Sequence, residues 1–402
     1  MHRRALLASG LGLAACAAHP SSPSAALDAG ASAASGFDAN LYRAIATGPD
    51  NVFISPYSVE SAFALLYPGA RGNTAAEIAA AMGFAANPEA QITRSRAQAE
   101  ALRAETGGSD FTTASAAWVE RTMALRAAYA RSIGDGLGAT IEAVDFIADQ
   151  QAALARINGW TAERTRDRIR EIISGVDPAR RLVLTNAVYF KGRWSDPFPA
   201  RATRDGSFFT QAGERTASLM RQETRARYVE QEGFQAAEFD YDQGAFALSV
   251  FLPRQRDGLA QFEQRLTGAQ LDQWLTQLDG ADRVRLDVTL PKVTMESSYN
   301  LNAPLQALGV RAAFSNAAAD LSGIADASLV VSAVIQKTFL AIDEDGTVAA
   351  AVTGIDVAVT SAPVNPPPPP IEFKADHPFF MVLRHRPSGV RLFLGRVANP
   401  AA

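Results

Sequence analysis

Hydrolysis by a side-chain nucleophile requires a Ser or Cys beside a general base, and this sequence has few residues for that chemistry. It contains no G-x-S-x-G motif, and the histidines beyond the first residues are His19, His377 and His385. His19 lies in a stretch of small and polar residues, whereas we expect His377 and His385 to lie at the surface or at strand ends. These observations favour a protein that is not an enzyme.

The sequence also lacks good candidate residues for binding a metal, a cofactor or a nucleic acid. The run Asp343-Glu344-Asp345-Gly346 resembles part of a calcium loop, but Ala341 occupies the first ligand position and no glutamate closes the loop. The sequence has no H-E-x-x-H, P-loop or dinucleotide-binding motif. We therefore expect no metal and no cofactor. A net charge of −4 likewise argues against a nucleic-acid partner.

The stretch that follows Gly346 has the pattern of a strand, although its flanks read as a loop. Alternate residues would share one face of a strand, and on one face all are small or apolar: Thr347, Ala349, Ala351, Thr353, Ile355 and Val357. Asp356, the one charged residue between Gly346 and Ile371, falls on the other face. Gly346 supplies the backbone freedom of a hinge. Five prolines at 366–370 favour an extended conformation, either as a spacer or as a docking segment.

The elements around this stretch indicate an α+β fold. Helical patterns dominate up to about residue 170. The predicted helix starts are Phe37, Pro56 behind the N-cap Ser55, and a capping box of Thr74 and Glu77. Residues 182–190 form a nearly unbroken apolar and β-branched run, which is typical of a central strand covered on both faces. Further strand patterns follow, and the chain closes with a predicted hairpin around residues 386–389.

The N-terminus has the features of an export signal. Basic Arg3 and Arg4 precede a short apolar stretch, which is too short to span a bilayer. Leu13-Ala14-Ala15-Cys16 resembles the bacterial lipobox, in which the Cys is lipidated, and Cys16 is the single cysteine of the chain. We predict a signal peptide at residues 1–15 and a lipid-anchored flexible tether at 16–36. The protein would then be an envelope lipoprotein, periplasmic or on the outer surface, or a secreted protein if Cys16 is not lipidated.

Several segments, taken in order, resemble the serpin family from about residue 37 to residue 400. They are NVFISPYS at 51–58, GARGNT at 69–74, LTNAVYFKGRW at 184–194, DLSGI at 320–324, PF at 378–379 and GRVANP at 395–400. The resemblance implies one domain at 37–402, with helices around a large central β-sheet, further sheets, and an exposed reactive loop at about 344–374. It also implies a suicide-substrate mechanism. In that mechanism, a serine protease would cleave the loop, form a covalent acyl-enzyme, and be trapped when the loop inserts into the sheet.

Family positions assign roles to individual residues. The hinge would comprise Glu344, Gly346, Thr347, Ala349, Ala351 and Thr353. A polar cluster behind the opening of the sheet would comprise Ser55, Ser58, Asn186 and Gln336, with Gln336 standing where many serpins have His. Trp194 and Lys292 would lie at the top of the sheet, and we predict that Lys292 and Glu344 lie within salt-bridge distance.

The usual hinge length of the family, counted from Gly346, predicts Thr360-Ser361 as the reactive bond. Small and β-branched neighbours suit an elastase-like or subtilisin-like protease, and the absence of Lys and Arg from the loop argues against trypsin-like targets. The predicted partners are the target protease, held covalently by a monomeric inhibitor, and a membrane bound through the lipid. The alternative is a non-inhibitory serpin that acts as a protein-binding module, for example through its proline-rich loop.

Overall fold

The computed structural model describes residues 36–104, 106–137, 140–347 and 368–401. Helices and strands alternate irregularly, with most helices in the first half of the chain and most strands in the second, as an α+β pattern predicts. The helices are α1 (Phe37–Ile45), α2 (Pro56–Leu66), α3 (Gly72–Met82), α4 (Pro88–Ala104), α5 (Ala127–Leu137), α6 (Gln150–Arg164), α7 (Leu259–Arg265), α8 (Gly268–Asp279) and α9 (Asn302–Ala307).

The strands of the described ranges form two sheets. They are β1 (Val52–Ile54), β2 (Asp110–Glu120), β3 (Thr140–Val144), β4 (Leu182–Arg193), β5 (Arg204–Thr210), β6 (Gly213–Gln231), β7 (Phe234–Asp240), β8 (Phe246–Pro253), β9 (Arg283–Pro291), β10 (Val293–Asn300), β11 (Val331–Ile342), β12 (Gly346–Thr347), β13 (Ile371–Lys374), β14 (Phe379–His385) and β15 (Val390–Val397). One sheet has the order β10-β11-β12-β4-β2-β3, and the other has the order β1-β15-β14-β8-β7-β6-β9-β13 with β5 beside β6.

The start of α2 predicted from the sequence is correct, whereas the predicted start of α3 is not. Ser55 caps α2 by accepting a hydrogen bond from the backbone N–H of Ser58. The predicted capping box of Thr74 and Glu77 is wrong, because α3 already begins at Gly72. The Thr74 hydroxyl is instead buried and accepts a hydrogen bond from the backbone N–H of Asp320.

The six-stranded sheet has β4 near its centre and apolar layers on both faces. β4 is buried from Leu182 to Phe190, as its unbroken apolar run predicts. On the outer face, Val183 packs in one cluster with Trp118 of β2, Trp160 of α6 and Ile172 of the segment that follows α6. On the inner face, β4 contributes Leu184 and Val188 to the apolar core against α2 and the nine-stranded sheet. An additional strand entering this sheet would therefore have both faces covered.

His377 and His385 are buried rather than at the surface, and of the two only His385 lies at a strand end, the other predicted position. His385 does end a strand, β14, but its ring contacts Phe246 and its Nδ1 lies 2.8 Å from the Ser388 hydroxyl. His377 lies between the Asp376 carboxylate at 2.8 Å and the Pro253 carbonyl at 2.7 Å. Polar partners at both ring nitrogens of His377 and at Nδ1 of His385 allow the imidazoles to be buried.

Neither a membrane span nor a metal site is evident in the part of the chain that the structure describes. None of its helices combines the length and the apolar character needed to cross a bilayer. The same residues contain no group of three or more His, Cys, Asp or Glu side chains arranged to hold a metal ion.

Candidate functional site

The candidate site is the end of the six-stranded sheet at which β4 reaches Arg193 and β11 reaches Ile342, called here the sheet top. β4 and β11 run parallel and pair with each other, but their pairing ends with Thr338 opposite Val188. Both strands continue beyond that point, by five residues in β4 and four in β11. The strands therefore separate towards the sheet top and leave room for a strand between them.

The start of the hinge already occupies that space. Thr347 pairs antiparallel with Ile342 of β11 and with Gly192 of β4, and Gly346 pairs with Arg193. Thr347 is completely buried. The two residues of β12 are thus a short strand inserted between two strands that are neighbours lower in the sheet.

Gly346 is required by the close approach of the hinge to β4. Its φ is 151°, in a region that L residues with side chains rarely adopt. A Cβ atom at this position would lie 2.1 Å from the carbonyl oxygen of Gly192, well inside van der Waals contact. A side chain here would push β12 away from β4.

The ion pair predicted at the sheet top is present. Nζ of Lys292 lies 2.7 Å from Oε2 of Glu344, and the Thr203 hydroxyl donates to Oε1 of Glu344 at 2.8 Å. Burial by itself raises the pKa of Glu344, but the hydrogen bonds from Lys292 and Thr203 outweigh it, so the pKa is lowered from its ordinary value. These contacts fix Glu344, at the start of the hinge, to Lys292 between β9 and β10 and to Thr203 before β5.

Trp194 holds the turn that leads into the hinge. Its Nε1 donates to the Asp343 carbonyl at 2.9 Å, and its backbone N–H donates to the Asp345 carbonyl at 2.9 Å. The indole stacks on the ring of Tyr241, with centroids 4.4 Å apart and planes at 16°. Trp194 therefore connects the turn at 343–345 to the nine-stranded sheet.

Tyr241 contacts the hinge directly. Its hydroxyl lies 2.7 Å from Oγ1 of Thr347, and both side chains are completely buried. Burial raises the pKa of the Tyr241 hydroxyl far above its ordinary value, so it stays protonated and can donate this hydrogen bond. Tyr241 was not predicted from the sequence, since no local motif marks it and its role depends on contact between two sheets.

The predicted polar cluster lies where β4 and β11 are still paired. The Ser58 hydroxyl donates to Oδ1 of Asn186, and Nδ2 of Asn186 donates to the Ser58 carbonyl at 2.7 Å and to the Ser115 hydroxyl at 2.8 Å. Asn186 thereby joins β4 to α2 and to β2. Ser115 was not predicted, because only the register of β2 against β4 brings it opposite Asn186.

Gln336 closes the cluster from β11. Its Nε2 donates to the Ser55 carbonyl at 2.8 Å and to Oδ1 of Asn186 at 3.2 Å, while its Oε1 accepts from the Ser55 backbone N–H at 3.1 Å. An amide can donate and accept at once, which is the property expected of Gln336 from the sequence. The structure thus brings Ser55, Ser58, Asn186 and Gln336 into one hydrogen-bonded group, all of them fully buried.

Several predicted site residues lie outside the described residues. They are Cys16, Ala349, Ala351, Thr353, Thr360 and Ser361. Their assignments remain predictions from the sequence.

Comparison with known proteins identifies the family. A family model for serpins, the serine protease inhibitors, matches residues 32–400. The chain belongs to the serpin family. Iripin-2 of Ixodes ricinus is 35% identical to this serpin over 373 residues, which cover 90% of this chain and 91% of Iripin-2. The leukocyte elastase inhibitor of Homo sapiens is 33% identical over 363 residues, 87% of this chain and 93% of that inhibitor.

Solved structures confirm the serpin fold. Serpin48 of the insect Tenebrio molitor has a TM-score of 0.79 at 28% identity, covering 93% of this serpin and 98% of Serpin48. Uncleaved ovalbumin has a TM-score of 0.80 at 26% identity, covering 92% and 99%. The family and the α+β fold predicted from the sequence are therefore correct. Family membership, with relatives named as leukocyte elastase inhibitors, supports serine protease inhibition.

Proposed function

We propose that this serpin is a suicide-substrate inhibitor of elastase-like or subtilisin-like serine proteases. The target cleaves the reactive loop and forms an acyl-enzyme, and insertion of the loop between β4 and β11 traps the protease before it can deacylate. The observation that carries this proposal is β12, because the first residues of the loop already pair with both strands. Insertion would extend an existing strand rather than start a new one.

The register of β12 allows each later loop residue to be matched with its neighbours in the sheet. Continuing the antiparallel pairing from Thr347 brings Ala349 opposite Phe190 and Leu340, where β4 and β11 are already apart. Ala351 comes opposite Val188 and Thr338, the last pair between those strands. Ala351 is therefore the first loop residue whose entry must break an existing pair.

Below that point the loop residues on the face of Thr347 match the chemistry of the sheet. Thr353 comes opposite Asn186 and Gln336, so its hydroxyl would enter the polar cluster and could replace the 3.2 Å hydrogen bond between those two side chains. Ile355 comes opposite Leu184 and Val334, which are both buried and apolar. A loop without a role in insertion would have no reason to follow this order of polar and apolar residues.

The same register supports the predicted reactive bond. Val357 comes opposite Leu182, the first residue of β4, so the strand can accept the loop up to about this residue. Thr360 lies three residues further along the chain. A protease bound covalently to Thr360 would be carried to the far end of the sheet and held against it.

Incubation with an elastase, a subtilisin and trypsin tests the proposal. We expect denaturant-resistant complexes with the first two enzymes and simple cleavage or no reaction with trypsin, because the loop offers its pocket no Lys or Arg. Mass spectrometry of the released C-terminal fragment should give a start at Ser361, within one or two residues. A complex formed with trypsin, or a cut beyond Pro363, contradicts the assignment of the bond.

We further propose that the inhibitor is exported and anchored in the cell envelope through a lipid on Cys16. The lipobox-like Leu13-Ala14-Ala15-Cys16 supports this location. Cys16→Ala should move the protein from the membrane fraction to the soluble fraction. Unchanged membrane partitioning of that variant excludes lipid anchoring at Cys16.

The second candidate function is a binding module that uses the proline-rich loop. One observation favours it: Pro368 and Pro369 are exposed, and the Pro368 carbonyl accepts a hydrogen bond from Nη1 of Arg285 at 3.1 Å, which holds the segment against the nine-stranded sheet. Extended proline segments are common ligands of aromatic grooves. A serpin of this kind would gain no stability when its loop is cut, whereas an inserting inhibitor would.

A further inference from the structure

The hydroxyl of Tyr241 reaches the hinge from a rigid position in the other sheet. Tyr241 directly follows β7 of the nine-stranded sheet, and its backbone forms a β-bridge with Trp194. Its ring is stacked on Trp194 and meets the edge of Phe190 at a centroid distance of 5.0 Å. Rings packed on two sides cannot follow Thr347 if the hinge moves.

The hydrogen bond between Tyr241 and Thr347 is buried on both sides, which makes its loss costly. The two oxygen atoms are 2.7 Å apart and neither side chain is exposed. Withdrawal of the hinge would leave the Tyr241 hydroxyl in a buried site without Thr347, and an unsatisfied buried hydroxyl is unfavourable. Deeper insertion keeps Thr347 where it is, because the following residues enter below it.

We propose that Tyr241 is a positioning residue that locks the hinge at Thr347 and so sets how far the loop is inserted before cleavage. The consequence of this lock rests on the proposed inhibitory function. After cleavage, insertion starts from a strand that is already in place. Without the lock, the cleaved loop must first re-enter the sheet top, and deacylation of the protease gains time to compete.

Two substitutions remove the hydrogen bond from opposite sides. Tyr241→Phe deletes one hydroxyl and keeps the ring stacked on Trp194, and Thr347→Val replaces the other hydroxyl with a methyl group of similar size. Thr347→Ser keeps the hydroxyl and is the conservative rescue. Tyr129→Phe is the matched control, because it removes another buried tyrosine hydroxyl, bonded to the Leu65 carbonyl at 2.7 Å, in a different part of the molecule.

Hydrogen–deuterium exchange of the uncleaved protein measures the lock without any protease. We expect the amides of residues 346–347 to exchange about tenfold faster in Tyr241→Phe and Thr347→Val, and within about twofold of wild type in Thr347→Ser and Tyr129→Phe. The double variant Tyr241→Phe/Thr347→Val should exchange no faster than either single variant, since both remove the same bond. Unchanged hinge exchange in both single variants overturns the proposal.

An inhibition assay measures how loss of this hydrogen bond affects the trapping of a protease. With a target protease, the number of inhibitor molecules consumed per protease trapped should rise severalfold in Tyr241→Phe and Thr347→Val, while the rate of loop cleavage stays unchanged. Hydrogen–deuterium exchange tests the lock and the trapping assay tests inhibition, so the two proposals can fail separately. A wild-type protein that traps no protease, combined with faster hinge exchange in the variants, refutes inhibition and keeps the lock. Trapping by wild type with unaltered exchange in the variants refutes the lock alone.

Discussion

The strands β4 and β11 are held together in the middle of the six-stranded sheet and held apart at its top. In the middle, Asn186 and Gln336 bind each other and the segment around Ser55 and Ser58, all buried. At the top, the strands are separated by Gly346 and Thr347, and side chains from outside the two strands hold that arrangement. One end of the sheet can therefore accept a strand, whereas the segment below it is held closed by hydrogen bonds.

The largest expected effect comes from a charged side chain at the sheet top. Thr347→Arg places a guanidinium in a fully buried position beside Tyr241, at a cost of several kcal/mol. The variant should be cleaved by the target as an ordinary substrate, with no denaturant-resistant complex on a gel. Thr347→Ser should still trap protease, which makes it the control. A stable complex formed by Thr347→Arg means that Thr347 does not enter the sheet in the trapped state.

Weakening the polar cluster that holds β4 and β11 together should have the next largest effect. Asn186→Ala removes the hydrogen-bond acceptor of the Ser58 hydroxyl and the link between β4 and Gln336, which keeps only its bonds to Ser55, and should lower the free energy of unfolding by about 2 kcal/mol. It should also speed the spontaneous loss of inhibitory activity, because the loop can then enter without cleavage. Asn51→Ala is the control, since Asn51 is also a hydrogen-bonding centre, bound to Ala398 and Asn399, but lies away from the gap. If both variants lose activity equally fast, the cluster does not gate insertion.

A smaller effect is expected at the far end of the inserted strand. The register brings Asp356 opposite Val183 and Ala333, which are buried under α6 and the segment that follows it. The face opposite Thr347 is thus covered, not solvated, and a carboxylate there is unfavourable. Asp356→Ala should raise the melting temperature of the loop-cleaved form by a few degrees and leave the uncleaved form unchanged. An equal shift in both forms contradicts the register.

The smallest effect is expected for the ion pair at the sheet top. Lys292→Met should lower the stability of the uncleaved protein by less than about 1 kcal/mol, because Lys292 is 42% exposed. The pKa of Glu344 is lowered, so the stability from this pair is present above the ordinary value of 4.5 and is lost as the pH falls through the lowered value. Denaturant unfolding should show a larger difference between variant and wild type at pH 7 than at pH 3. A larger difference at pH 3 than at pH 7 contradicts a lowered pKa of Glu344.

Local patterns predicted much of this architecture. The apolar run of β4, the N-cap at Ser55 and the closing hairpin are visible in a few adjacent residues, and the structure contains each of them. Family positions added the pair of Lys292 and Glu344, which are 52 residues apart in the chain. No local pattern could have suggested that pair.

The failures came from contacts between distant segments. Thr74 was taken for a helix cap because its hydroxyl could serve a nearby N–H, but the backbone N–H of Asp320 uses that hydroxyl instead. His377 was expected at the surface or at a strand end, but the Pro253 carbonyl, 124 positions away, makes its burial possible. Tyr241 was missed for the same reason, since its partner Thr347 belongs to the other sheet. Residues that couple the two sheets require the tertiary structure.

If the cut loop becomes a strand that completes the six-stranded sheet, the melting temperature of the loop-cleaved protein should show it most directly. The loop should be cut by a protease that is not itself trapped, and the intact and cleaved proteins compared under the same conditions, with cleaved Thr347→Arg as the control. We predict that cleavage raises the melting temperature of the wild type by more than about 10 °C, as expected for a gain of about 5 kcal/mol or more, and leaves that of Thr347→Arg unchanged. A cleaved wild-type protein that melts at the same temperature as the intact one, or lower, contradicts the account.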